Sequence, residues 1–165
     1  MIPLLFGRSG GQRVAFYASE VEEVLLRPAL TATNLSTPLV EGWFRLGHTW
    51  VPVLALAGLL GLEVPEPSLN DPLLLLASQP QTCLRLERIE SVQEVSWEAL
   101  LPTENVQGEG GAQAATVSHG DEPALLLSTP RLLLEKERLL LARSREHLEQ
   151  REHVAEQLLS QDEPA

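Results

Sequence analysis

The side chains best suited to chemistry are one cysteine and four histidines, and their spacing favours neither nucleophilic catalysis nor metal binding. Cys83 lies in an alternating apolar run with no motif that joins it to a histidine, and a buried, unreactive thiol is the usual outcome there. His147 and His153 are six residues apart, whereas two histidines on one helix face stand three or four apart. The other two histidines are His48 and His119. We therefore expect no catalytic residue and no bound metal.

Two further motifs could suggest a reaction, and each has a simpler explanation. Glu20, Glu22 and Glu23 form an acidic run, which at the start of a helix is usually a solvated face favoured by the helix dipole. The glycines of residues 7–11 are not followed by the Gly-Lys-Ser/Thr sequence of a phosphate-binding loop. We predict that the protein is not an enzyme and uses no cofactor.

The composition is that of one acidic domain. The chain has 165 residues and a formal net charge of −11, which makes nucleic acid and anionic membranes poor partners. Its longest apolar stretch, residues 50–62, is interrupted by proline and glycine and is shorter than the ~20 residues of a transmembrane helix. Residues 1–6 lack the basic region and apolar core of a secretory signal. We expect a cytoplasmic protein that does not insert into membranes.

The composition changes near residue 130. Eleven of the twelve prolines and all eleven glycines lie in residues 1–130, whereas leucine, glutamate and arginine dominate the rest. This change predicts a turn-rich β domain over residues 1–130 and a helix over residues 131–160 that is part of the domain or appended to it. Residues 161–165 are predicted to be a disordered tail.

Within residues 1–130, short apolar or alternating runs separated by turn residues predict a small barrel or sandwich. Residues 4–6 and 13–17 should form a hairpin, and residues 19–25 a short helix or turn. The other predicted strands are residues 42–46, 49–56, 73–77, 82–86, 89–95, 115–118 and 124–127. Pro52 should place its strand at an edge or a bulge. Residues 103–113, between Pro102 and Ala114, have no periodicity and are predicted to be a mobile loop.

The predicted C-terminal helix carries an apolar stripe. Leu134, Leu141, Leu148 and Ala155 recur at a spacing of seven residues, as in a coiled-coil seam or in a helix that lies on a core. Both alternatives are open from the sequence: the stripe folds back onto the β domain, or it mediates self-association.

The segment from Gly42 to Leu56 carries a more specific pattern. Its glycine, Leu46, the Pro52-Val53 pair and Leu56 are in register with the signature Gly-x-x-Asn-Leu-Arg-Gly-x-x-x-Pro-Val-x-Asp-Leu. With the runs that precede and follow it, this segment resembles the CheW family of chemotaxis coupling proteins. The resemblance extends in consistent order over about residues 4–134.

The resemblance implies a mainly β fold of two small five-stranded β-barrels that share one core, here followed by a long C-terminal helix. It also implies a non-enzymatic scaffold that couples the cytoplasmic tips of chemoreceptors to the regulatory domain of a CheA-type histidine kinase. An alternative is a divergent docking module that has lost kinase coupling and binds another partner through its C-terminal helix.

The chain departs from the family signature where the family has Arg-Gly, since Gly47 and His48 stand there. In the family this arginine pairs with an upstream glutamate, which corresponds here to Glu23. Arg45 lies two residues before Gly47, hence on the same face of a strand. We hypothesise that Arg45 replaces the missing arginine and pairs with Glu23. The predicted partner-binding surface consists of Glu23, Val40, Trp43, Arg45, Gly47, His48 and Trp50.

Overall fold

The structure is a computed structural model, and it describes residues 1–33, 39–102 and 113–161. The strands in these ranges are β1 (Ile2–Ser9), β2 (Gln12–Tyr17), β3 (Val21–Leu25), β4 (Val40–Leu46), β5 (Thr49–Ala55), β6 (Leu73–Leu76), β7 (Cys83–Arg85), β8 (Arg88–Val95), β9 (Leu100–Pro102), β10 (Gln113–Val117) and β11 (Ala124–Leu127). The helices are α1 (Leu56–Leu59) and α2 (Glu135–Gln161), with short 3-10 turns at Ala18–Glu20, Trp97–Ala99 and Thr129–Arg131.

The first sheet has the strand order β8-β1-β2-β11-β10-β9. Its β1–β2 hairpin turns at Gly10 and Gly11, whose φ angles of 59° and 79° are readily adopted only by glycine. Strand β11 runs parallel to β2, and the other pairs are antiparallel. The predicted hairpin is thus present. Its first strand, β1, is longer than the predicted residues 4–6.

The second sheet has the strand order β3-β6-β7-β5-β4, with β5 parallel to β7. Strand β5 lies between β4 and β7, so Pro52 does not mark an edge strand. The alternative, a bulge, is found next to it, since the register shifts between Val40 and Gly42, opposite Leu54 and Val53. Pro52 lies opposite Trp43 of β4, and the pairing of β5 with β7 begins one residue later, at Val53. The proline therefore precedes the segment in which β5 needs hydrogen bonds to both neighbours.

The predicted pair of five-stranded barrels requires a correction. One sheet has six strands and the other five, and within the described ranges the two end strands of each sheet do not pair with each other. The additional strand is β9, which pairs with β10 and is too short to show an alternating pattern. The mainly β class and the C-terminal helix are confirmed.

Residues 21–25 form a strand, where the sequence predicted a helix or turn over residues 19–25. A single 3-10 turn at Ala18–Glu20 precedes β3, and β3 then pairs with the buried leucines of β6. Two valines and a leucine at helical spacing are equally compatible with a strand, and pairing with an apolar neighbour decides between the two.

One core joins the two sheets and the helix. Phe16 of the first sheet, Trp43 and Leu54 of the second, and Leu141 and Leu148 of α2 belong to the same cluster of buried side chains. The predicted shared core is therefore present. Because α2 contributes to it directly, the helix is packed into the β fold along this part of its length.

The apolar stripe of α2 is only partly buried. Leu141 and Leu148 are buried together with Ser144, whereas Leu134 is 46% exposed and Ala155 is exposed. The stripe therefore folds back onto the sheets in its middle section. Self-association through the rest of the helix stays a prediction, as do the domain boundaries. Residues 103–112 of the predicted loop and 162–165 of the predicted tail lie outside the described residues.

Candidate protein-interaction surface

The β4–β5 hairpin carries the residues at which the sequence departs from the family signature. Gly47 occupies the turn with a φ of 64°, which favours glycine, and His48 beside it is exposed. Arg45 Nε donates to the carbonyl oxygen of Gly47 at 3.1 Å. The family's arginine position is thus a tight turn here, and Arg45 folds over it.

Helix α2 contacts this hairpin through the side chain of Glu152. Glu152 Oε1 lies 2.6 Å from Arg45 Nη1, and Trp50 Nε1 donates to Glu152 Oε2 at 3.0 Å. One carboxylate therefore accepts from both side chains, across partly exposed surface where such pairs contribute modestly. This contact could not be predicted from the sequence, because helical periodicity does not reveal which strand a helix will contact.

A second contact holds the same helix about two turns before Glu152. Arg145 Nε donates to the carbonyl oxygen of Trp50 at 3.0 Å, and its Nη2 donates to that of Gln81 at 3.3 Å. The guanidinium also lies 5.4 Å from the ring centroid of Trp43, within cation–π range. Burial lowers the pKa of Arg145, and the charge of Glu149 opposes this shift.

The hypothesised ion pair between Arg45 and Glu23 is not formed. Arg45 pairs with Glu152, while Glu23 lies exposed on β3. Strands β3 and β4 are the opposite ends of the five-stranded order. Position along a strand predicts the face on which the Arg45 side chain lies, but it does not specify which other element contacts that face.

Three of the predicted surface residues, Val40, Trp43 and Trp50, contribute to the core. Trp43 is 1% exposed and belongs to the shared cluster. Val40 is half-buried and packs against that cluster. Trp50 is also half-buried, and Glu23, Arg45, Gly47 and His48 are exposed. The exposed part of the predicted surface is therefore these four residues, with the edge of Trp50.

A buried arginine network lies behind this surface, and the sequence did not reveal it. Arg85 is 3% exposed. Its Nε donates to Glu41 at 2.5 Å, its Nη1 to Asp71 at 2.9 Å and its Nη2 to the carbonyl oxygen of Pro65 at 2.8 Å. The guanidinium thereby joins β7 to β4 and to the segment that precedes β6. The sequence feature that could have indicated this network is Arg85 itself, a charged residue within an alternating apolar run.

The first sheet holds its own arginine cluster. Arg13 lies 4.5 Å from the Phe6 ring centroid and donates to the carbonyl oxygens of His119 and Glu122. Arg8 donates to the Glu122 carboxylate, and this hydrogen bond lowers the pKa of Glu122. These contacts tie β1 and β2 to the β10–β11 turn, which is a structural role.

No catalytic constellation is apparent in the described part of the chain. Within residues 1–33, 39–102 and 113–161, no three histidine, cysteine, aspartate or glutamate side chains are arranged to hold a metal ion. No helix of that part is long and apolar enough to cross a membrane. What the surface offers is a mixture of charged, aromatic and backbone groups, which suits contact with another protein.

Cys83 is expected to be unreactive in the folded protein. Its side chain is buried, and burial raises its thiol pKa to about 12. Near neutral pH a thiol reagent should therefore label Cys83 only after denaturation by urea. The thiol pKa is higher in the folded state than in the unfolded state. The contribution of Cys83 to the free energy of unfolding is therefore complete below about pH 8.5, and it declines as the pH rises towards 12, because the unfolded state loses the thiol proton first. Labelling of the native protein as fast as of the unfolded protein would contradict this, and Cys83→Ala should remove the alkaline decline.

Comparison with known proteins finds a matching family model and similar solved structures. Residues 3–137 match the family model of the CheW-like domain. The structure is similar to the crystal structure of the scaffolding protein TtCheW from Thermoanaerobacter tengcongensis, with a TM-score of 0.70 and 14% sequence identity, over 77% of this chain and 88% of that chain. No curated protein matches the chain. The structural likeness concerns the fold.

Proposed function

Because the chain belongs to the CheW-like domain family, we propose that it is a non-enzymatic cytoplasmic scaffold that couples chemoreceptors to a CheA-type histidine kinase. The observation that carries this proposal is the family match over residues 3–137. The fold supports it, since short strands with free edges offer surfaces that a second domain can cover. Nucleic acid is not expected as a partner of a chain with net charge −11.

For the contact surface we propose the exposed residues Glu23, Arg45, Gly47 and His48, with Trp50 at its border. Glu23 lies on the edge strand β3, and the other four lie on the β4–β5 hairpin. Arg45 and Trp50 already contact Glu152. A partner at the hairpin would therefore meet a surface that α2 has ordered, whereas a partner at β3 would meet a free strand edge.

The test is a binding titration of the full chain against the regulatory domain of each chemotaxis-type kinase of the same organism, alone and with a receptor-tip fragment. We expect saturable binding that Glu23→Lys weakens about tenfold, because a reversed charge at an interface opposes association. The matched control is Glu94→Lys, the same charge change at an exposed position of β8. Absence of binding to every kinase domain would overturn the coupling role.

A second candidate function is docking of another partner through the end of α2. It is favoured by the exposure of Val154, Leu158 and Leu159 beyond the Glu152 contact, at 52%, 58% and 70%. Deleting residues 153–165 separates the two functions, since it leaves the buried part of α2 in place. Kinase binding that the deletion retains supports the coupling scaffold, whereas a full chain that binds no kinase domain, but whose other partner is lost on deletion, would point to docking through the helix. The same variant tests self-association by sedimentation.

A further inference from the structure

A partly enclosed cleft of about 410 Å³ lies between the second sheet and α2. Leu54, Leu76 and Leu84 of the sheet line it on one side, and Leu141 and Ala142 of α2 line it on the other. Its volume falls in the range of small-molecule sites in proteins. Leu132, in the segment between β11 and α2, also lines the cleft, and all these leucines belong to the shared core, so the cleft is present without a ligand.

The lining of this cleft is apolar apart from a few polar groups, and its charged members all have one sign. They are Arg138 and Arg145, and no aspartate or glutamate lines the cleft in the described part of the chain. A local excess of positive charge is unexpected in a protein whose net charge is −11. The cleft therefore differs in charge from the protein around it.

Neither arginine is neutralised by a carboxylate. Arg145 donates to the carbonyl oxygens of Trp50 and Gln81, and Arg138 donates to that of Pro130. Among the residues that the structure describes, neither guanidinium has an ion pair within 4.0 Å, although Glu149 acts on Arg145 from a greater distance. A carboxylate that entered the cleft would find two charged donors: Arg145, which is partly desolvated and so forms strong hydrogen bonds to an anion, and Arg138, which is exposed at the rim.

We propose that this cleft binds a small amphiphile that carries one carboxylate on an apolar chain. The leucines receive the chain, and Arg138 and Arg145 receive the carboxylate. The inference does not depend on the proposed coupling function, because it rests on the volume, lining and charge of the cleft alone.

The test is calorimetric titration of the full-length protein near neutral pH with three probes of equal chain length. Octanoate should bind at a single site, octanol about tenfold more weakly because it lacks the charge, and octylammonium not measurably. Equal binding of octanoate and octylammonium would overturn the proposal, and so would the absence of heat with all three.

Two variants locate the binding. Ala142→Trp should abolish octanoate binding by filling the cleft from α2, whereas the matched control Ala155→Trp, at an exposed position of the same helix outside the cleft, should leave it unchanged. Arg138→Gln, an exposed position that the fold tolerates, should weaken octanoate about fivefold and leave octanol unaffected. Undiminished octanoate binding in both cleft variants would overturn the assignment.

Discussion

Replacing Arg85 by methionine is expected to destabilise the protein by about 3–5 kcal/mol, because Asp71 then loses its cation and Glu41 keeps, within the described residues, only Arg27, 3.6 Å away. Arg85 is the central cation between Glu41 and Asp71, whose side chains are each 12% exposed. Methionine keeps much of the volume but none of the donors. The loss should appear as a lower urea midpoint with an unchanged slope in equilibrium unfolding.

The control for this change is Arg88→Met, which removes an exposed arginine from the following strand and should cost less than about 1 kcal/mol. Adding Glu41→Gln and Asp71→Asn to Arg85→Met should restore part of the stability, since uncharged amides cost less to bury than unpaired carboxylates. A loss under about 1 kcal/mol in Arg85→Met would show that the network is not formed as described.

Replacing Trp43 by alanine is expected to lower the free energy of unfolding by about 3–5 kcal/mol, because it removes the largest buried side chain of the shared core and leaves a cavity. The same change removes the aromatic face beneath the guanidinium of Arg145. Since α2 packs against this region, the helix should loosen with the core. Thermal and urea unfolding measure the first effect, and hydrogen exchange along α2 measures the second.

Trp97→Ala is the matched control, since Trp97 is 66% exposed and its loss should change stability by under about 0.5 kcal/mol. If Trp43→Ala left stability intact and weakened partner binding instead, the tryptophan would be an interface residue, as the sequence alone suggested. The comparison thus separates a core role from a binding role at one position.

These predictions assign the stability of the protein to contacts between distant segments. They assign its partner binding to exposed residues of the β4–β5 hairpin and of the edge strand β3. Arg85 and Trp43 connect segments far apart in the chain, whereas Glu23 and His48 protrude from the body without contributing to the core. Variants of the two classes should therefore have separable effects, because exposed positions away from a network rarely change stability.

Local pattern was sufficient for several features. The glycines at residues 10 and 11 and the flanking apolar residues predicted the first hairpin, and the absence of proline and glycine from residues 131–162 predicted the long helix. The order of residues from Gly42 to Leu56, with the runs that precede and follow it, indicated the family, which the family match confirms. Each of these signals is contained within about 30 residues of sequence, within reach of helical and strand periodicities.

Only the tertiary structure decided which faces those elements cover. The segment of β3 was predicted to be a helix or turn, and its pairing with β6 makes it a strand; Trp43 was predicted at the partner surface, and its packing with both sheets and α2 makes it a core residue. Arg45 was assigned to Glu23, yet its partner is Glu152 at the far end of the chain. The physical reason is that periodicity specifies the face a side chain lies on, while the docking of distant elements specifies what that face meets.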